Sequence, residues 1–375
     1  MDPVFVKIVL GTMLIAAASA VVGSFSFLKG QSLVGDAIAH ALLPGVVLAF
    51  LMGEQRNALH LVLGAMATGL GAHYLMAHME RSSKLKADTA TSLVLSTFFG
   101  FGIMLMSYVQ RTGRAQQAGL DRFLLGKAAA ITQQDLVVFA ALALLLLLGV
   151  ALFYKGFQLM TFNPDFAAAI GLPTKVIQAA FTVLTVLAIT VGIQTVGVVL
   201  MAALLITPAA AARSWTHSLR MMLFLAASFA ALSALLGTLI SASLPKMPTG
   251  PWVVIVLGTL GFFSVLFAPD RGWLARRRRA RANSAKTYRE NILKLLYQQM
   301  ERERTPSEVS SDFLLKRREF NTSKLQRALR QLRNQGLLIQ NQGQYSLSAS
   351  GIVEGRRVVR LHRLWELYLT ERLNM

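Results

Sequence analysis

The chain contains no cysteine among its 375 residues. That excludes disulfides, thiolate metal sites and cysteine nucleophiles, and leaves the redox compartment unread. Acidic residues are scarce as well, 18 Asp and Glu against 38 Lys and Arg, for a formal net charge of +20. Nowhere does the sequence contain G-x-x-x-x-G-K-[ST], the loop whose amides cradle nucleotide phosphates, so nucleotide hydrolysis on this chain is not expected. Charged residues make up only 15% of the sequence and apolar residues 54%. The apolar residues gather in long uncharged runs rather than alternating with polar ones, which predicts a polytopic membrane protein.

Nine such stretches can be marked, near 5–28, 34–53, 58–79, 89–109, 134–154, 175–193, 196–212, 219–242 and 251–268. Several approach the roughly 20 residues needed to cross a hydrocarbon core of about 30 Å, so eight or nine transmembrane helices are expected. Ala18-Ser19-Ala20 would suit a signal-peptide cleavage site. The leader, however, carries a single Lys7 and the apolar run continues to Leu28, so it reads as the first span. The second and seventh stretches contain Pro44 and Pro208, which predicts broken or re-entrant helices there. The small residues of Gly64 to His73 predict close helix packing.

The charge is unevenly spread. Up to Asp270 there are 15 basic and 9 acidic residues, which leaves 23 basic and 9 acidic for the remainder. The carboxyl tail is therefore a separate, water-seeking unit. The short loops carry no clear charge bias, but the run Arg276 to Arg279 directly after the last stretch places the tail in the cytoplasm. Within the tail, Tyr288 to Met300 reads as an amphipathic helix, a second begins at Ser307-Glu308-Val309, and Thr322 to Asn334 forms a third, ended by Gly336. Leu337 to Gln340 and Tyr345 to Leu347 flank Asn341-Gln342-Gly343-Gln344 as a β-hairpin. Three helices and a hairpin predict a winged helix. The expected architecture is an all-α polytopic membrane domain over 1–270, a basic linker over 271–285, and a small cytoplasmic α+β winged-helix domain over 286–375.

Inside the second stretch Asp36 and His40 lie four residues apart. Ionisable groups in hydrocarbon are costly and usually face a polar path or a partner. At i, i+4 on a helix the two side chains share a face. A carboxylate oxygen beside an imidazole suits Mn²⁺, Fe²⁺ or Zn²⁺; a buried Asp–His hydrogen bond holding helices together fits the spacing equally well. Of the other polar groups, Glu54 falls at the predicted outer mouth, and His60, His73 and His78 share the third stretch. The last two read as interfacial residues rather than ligands.

Four strings in order resemble the permeases of the manganese, zinc and iron ABC importers, the ABC-3 or cluster-nine family. They are Gly35 to Gly45, Asp88-Thr89-Ala90, Asp165 to Gly171, and Leu205 to Ala210. The resemblance implies that Asp36 and His40 contact the metal in transit. It implies further that Mn²⁺, Zn²⁺ or Fe²⁺ is cargo rather than resident cofactor. A cytoplasmic ABC ATPase, a second permease copy or a paralogue, and an extracytoplasmic metal-binding protein are the implied partners, in a bacterial inner membrane. Asp165, Phe166, Ala167 and Gly171, in a loop bracketed by Pro164 and Gly171, would transmit the ATPase's movement. The tail string Arg360 to Leu369 resembles the iron- and manganese-dependent repressors, which implies a regulatory metal pair at His362 and Glu366. The basic helix Thr322 to Asn334 has the charge for phosphate contacts, with membrane lipid or the ATPase expected to meet it rather than DNA. A membrane-anchored, metal-responsive DNA-binding regulator is the competing reading.

Overall fold

A computed structural model of the protein describes residues 3–52, 58–111, 133–243, 247–269, 271–303, 308–317 and 321–373. Glu54 lies outside the described residues. Each of the nine apolar stretches forms a helix: α1 (Pro3–Leu28), α2 (Ser32–Met52), α3 (Ala58–Ser82), α4 (Ala87–Arg111), α5 (Gln133–Phe162), then, after the short α6 (Pro164–Ala169), α7 (Thr174–Val196), α8 (Val198–Trp215), α9 (Leu219–Ser243) and α10 (Thr249–Phe267). Among the described residues seven of these are long and apolar enough to cross a membrane; α3 and α8 fall outside that set. The protein is a multi-pass membrane protein, and the outward Leu144, Leu148 and Leu152 of α5 are exposed as lipid-facing residues would be.

Helix α1 sits centrally, packed against α5, α7, α8 and α9. Its small residues Ala16, Ala18 and Ala20 are buried and let these neighbours approach. Phe25 closes one end edge-on to Phe157 at 5.6 Å, and Phe157 meets Phe181 at 5.5 Å in the same manner. Helix α2 packs on α3 and α4. A methyl group added at Gly45 would lie 2.1 Å from the Gly64 carbonyl oxygen, and one at Gly64 would lie 2.5 Å from that of Gly45. Only glycine at both positions allows these backbones to touch.

The two prolines do not break their helices, contrary to expectation. α2 runs through Pro44 and α8 through Pro208. Proline removes one intrahelical bond, but a buried helix gripped on several sides tolerates that loss. The chain interrupts itself instead at Gly197, whose φ of +88° caps the end of α7 and opens α8. Its N–H reaches the Ile193 carbonyl at 2.9 Å.

The chain divides into two compact units, 1–273 and 274–375. The segment expected as a linker is helical: α11 runs unbroken from Trp273 to Glu303. β1 (Val309–Ser310), α12 (Ser311–Arg317), α13 (Thr322–Asn334), β2 (Leu338–Asn341), β3 (Gln344–Leu347) and α14 (Ala349–Leu373) follow. Val309 and Ser310, expected in a helix, form a short strand pairing with Tyr345 and Gln344, so that the three-stranded order is β1-β3-β2. The hairpin turn is Gln342-Gly343, both at positive φ, the backbone that a two-residue turn between twisted strands requires. Ile292, Leu296, Leu314, Leu325, Leu329 and Leu332 form a core belonging to this unit alone.

Candidate metal-transit site

From Gly35 to Val47, α2 is buried at every position except Asp36 and His40. Their side chains keep 39% and 23% of their accessibility, and Asp36 Oδ1 stands 3.6 Å from His40 Nε2. Helical spacing makes this pair; tertiary packing then leaves it uncovered while covering everything around it. The imidazole meets the Phe99 ring of α4 edge-on at 4.8 Å, which fixes its orientation and excludes water from one side. At 3.6 Å the two atoms are too far apart for a strong hydrogen bond, but one cation can span them. Among the described residues no group of three or more His, Cys, Asp or Glu is close enough to hold a metal. Asp36 and His40 are therefore two donor groups standing together, partly accessible, on one face of α2.

Of the other expected residues, His73 donates to or accepts from Thr182 at 2.9 Å, joining α3 to α7. His78 stacks on Tyr74. Each thus has a side-chain partner of its own. Lys29, which in the sequence looks like an ordinary loop charge, is instead seated in a cavity of about 530 Å³ with His73, Glu80 and Asp88 in its lining. It donates to Gln178 Oε1 at 3.0 Å and lies 4.0 Å over the Phe181 ring. Burial pushes its pKa down to about 8.

The loop expected to meet an ATPase contains helix α6. Asn163 caps it, its side-chain oxygen accepting from the Phe166 N–H at 3.0 Å, and Pro164 occupies the first turn. Ala167 is fully buried and pins the helix down, while Asp165, Phe166 and Ile170 are exposed. Gly171, at φ +77°, ends it with a backbone that glycine adopts at least cost. Phe166 and Ile170 together leave an exposed apolar ridge on this capped turn.

In the tail, His362 and Glu366 both lie on α14, four residues apart on one helical face. Glu366 also meets the Lys294 ammonium at 3.5 Å, because α14 and α11 of the same unit lie side by side there, a contact that spacing along one helix cannot reveal.

The profile described as the ABC 3 transport family matches residues 1–268. The chain is 39% identical over 367 residues to the manganese transport system membrane protein MntC of Bacillus subtilis (strain 168), covering 97% of this chain and 84% of that protein. It is 43% identical over 268 residues to the zinc transport system membrane protein TroC of Treponema pallidum (strain Nichols), covering 72% of this chain and 90% of that one. Among solved structures it resembles PsaBC from Streptococcus pneumoniae in complex with Fab, with a TM-score of 0.65 and 29% identity over 74% of this chain and 96% of that chain.

Proposed function

This chain belongs to the ABC 3 transport family, and from that premise we propose that it is the membrane permease of an importer carrying Mn²⁺ or Zn²⁺ into the cell. One observation carries the reading: within the buried run Gly35 to Val47, Asp36 and His40 alone are left partly open, 3.6 Å apart. Carboxylate oxygen and imidazole nitrogen together suit both metals. Moving a metal demands binding tight enough to accept it and loose enough to release it, which two ligands on one helix serve poorly. A second permease copy, or a paralogue, that presents its own pair opposite this one would raise the set to four, the number zinc usually takes.

The energy comes from elsewhere, since the sequence holds no phosphate-binding loop. A separate cytoplasmic ATPase would seat on the ridge formed by Phe166 and Ile170, and α6, anchored through Ala167, would pass its movement to α5 and α7 on either side. An extracytoplasmic metal-binding protein would deliver the ion. The run Arg276 to Arg279 favours a cytoplasmic tail in a bacterial inner membrane. Helices α11, α12 and α13 followed by the β2–β3 hairpin support a winged-helix reading of that tail. His362 and Glu366 would serve as a regulatory pair only after Lys294 releases Glu366.

The test is uptake of radiolabelled Mn²⁺ and Zn²⁺ by proteoliposomes containing the permease and its ATPase. Asp36→Ala and His40→Ala should each lower uptake at least about tenfold, as loss of metal-site groups does, while the complex assembles as before. Uptake at the wild-type rate in both variants would overturn the assignment.

A further inference from the structure

The transport path makes no use of the concave face between α11 and α13. A cavity of about 750 Å³ opens there, a size typical of small-ligand sites. Arg277 and Arg281 line it from α11, and Lys324 and Arg327 from α13. The i, i+4 and i, i+3 spacings turn each pair toward the same hollow. No Asp or Glu is among the described residues lining it. Among the described residues, the ion pairs Lys286–Glu290, Lys294–Glu366, Arg357–Glu354 and Arg363–Glu301 involve none of Arg281, Lys324 and Arg327. Tyr288 forms part of the wall, its ring 5.7 Å from the Lys324 ammonium.

Arg281, Lys324 and Arg327, gathered in one concavity, repel one another, and an anion placed among them relieves that repulsion. Guanidinium forks match phosphate oxygens two at a time, and an ammonium adds a movable donor. We infer that this cavity is a binding site for a phosphate-bearing anion, and that the headgroup of an anionic phospholipid is its occupant. The source follows from position in the chain. Helix α11 begins with the half-exposed Trp273, shortly after α10 ends at Phe267, and the run Arg276 to Arg279 comes next. A tryptophan and a cluster of arginines directly beside a span are the features that meet an interface and its anionic lipids. A DNA duplex fits less well. A helix that reads the major groove must project into it, whereas Lys324 and Arg327 face a hollow whose other wall is α11. Free phosphate or a nucleotide shares the headgroup's chemistry and differs only in source.

The cysteine-free sequence allows a local readout in the full-length protein. Ser284 lines the cavity and is exposed, so Ser284→Cys places the chain's single thiol there. Its alkylation by N-ethylmaleimide in detergent should slow severalfold with dioctanoyl-phosphatidylglycerol and stay unchanged with dioctanoyl-phosphatidylcholine. Adding Arg281→Gln, Lys324→Gln and Arg327→Gln should abolish the protection without moving the thermal midpoint, because all three residues are exposed. Stronger protection by ATP or inorganic phosphate would uphold the phosphate site and move its source to the aqueous phase. The inference is overturned if none of these compounds protects, if protection survives the three substitutions, or if a DNA duplex alone protects.

Discussion

Lys29 leaves the end of α1 to lie over the Phe181 ring, its ammonium held by a single amide oxygen of Gln178. Water is replaced there by an aromatic face and one acceptor, so the charged form is under-solvated and the pKa falls from 10.5 to about 8. In the unfolded chain the amine keeps its proton up to the ordinary value. Between about 8 and 10.5 the unfolded state therefore binds more protons than the folded one, and stability rises with pH across that window. Below it the strain of the buried charge is fully present. The thermal midpoint of the wild type, measured against Lys29→Met in the same detergent, should therefore move in the wild type's favour from about pH 7.5 to about pH 10. A difference that is flat or falls over that range would show that the ammonium is not under-solvated. The sequence hides this entirely, because Phe-Leu-Lys-Gly at the end of an apolar run is how an ordinary loop charge looks.

Helix α6 is only six residues long, too short to persist without its ends being fixed. The Asn163 cap therefore governs whether Phe166 and Ile170 form a rigid ridge or a loose loop. Asn163→Ala removes the cap at a cost of about 1 kcal/mol. In the reconstituted complex it should lower metal uptake more than ATP hydrolysis, and Phe166→Ser should do so more strongly. Cysteines introduced at Phe166 or Ile170 should crosslink to the ATPase; failure of both to do so would remove α6 from the contact. Elements of this kind were readable in the sequence where the determinants are local. The nine apolar runs became nine helices, and Pro164 and Gly171 bracket α6 as their backbone preferences dictate. The Asp36–His40 spacing was equally plain. What the sequence did not disclose depends on distant residues: that α3 and α4 would support a helix through Pro44, that Phe99 would lie against His40, and that Lys294 would reach Glu366 first. The helical state of the basic linker was also hidden. Arg276 to Arg279 carries charge that resembles a solvated tether, yet arginine and alanine are strong helix formers, and α11 starts at Trp273.

Among the described residues each of the two units has its own buried core. In residues 1–273 the buried side chains cluster along α2, α3, α4, α8 and α9 and around the Phe25–Phe157–Phe181 stack. In residues 274–375 they come from α11 to β3. The family match ends at residue 268, just before the boundary. A permease cut after Trp273 should thus keep its folded core, its Asp36–His40 pair and α6, and should transport metal when supplied with its ATPase. Wild type and truncation are to be compared for thermal midpoint, ATPase assembly and uptake in phosphatidylcholine vesicles, where the basic cavity finds no anionic headgroup and both proteins should behave alike. Raising the phosphatidylglycerol fraction should then change uptake by the full-length protein, and not by the truncation, if the tail's cavity bears on transport. Loss of assembly or of all uptake on truncation would make the tail a structural part of the permease. An equal response of both proteins to phosphatidylglycerol would assign the lipid effect to the spans and leave the tail's cavity without influence on transport.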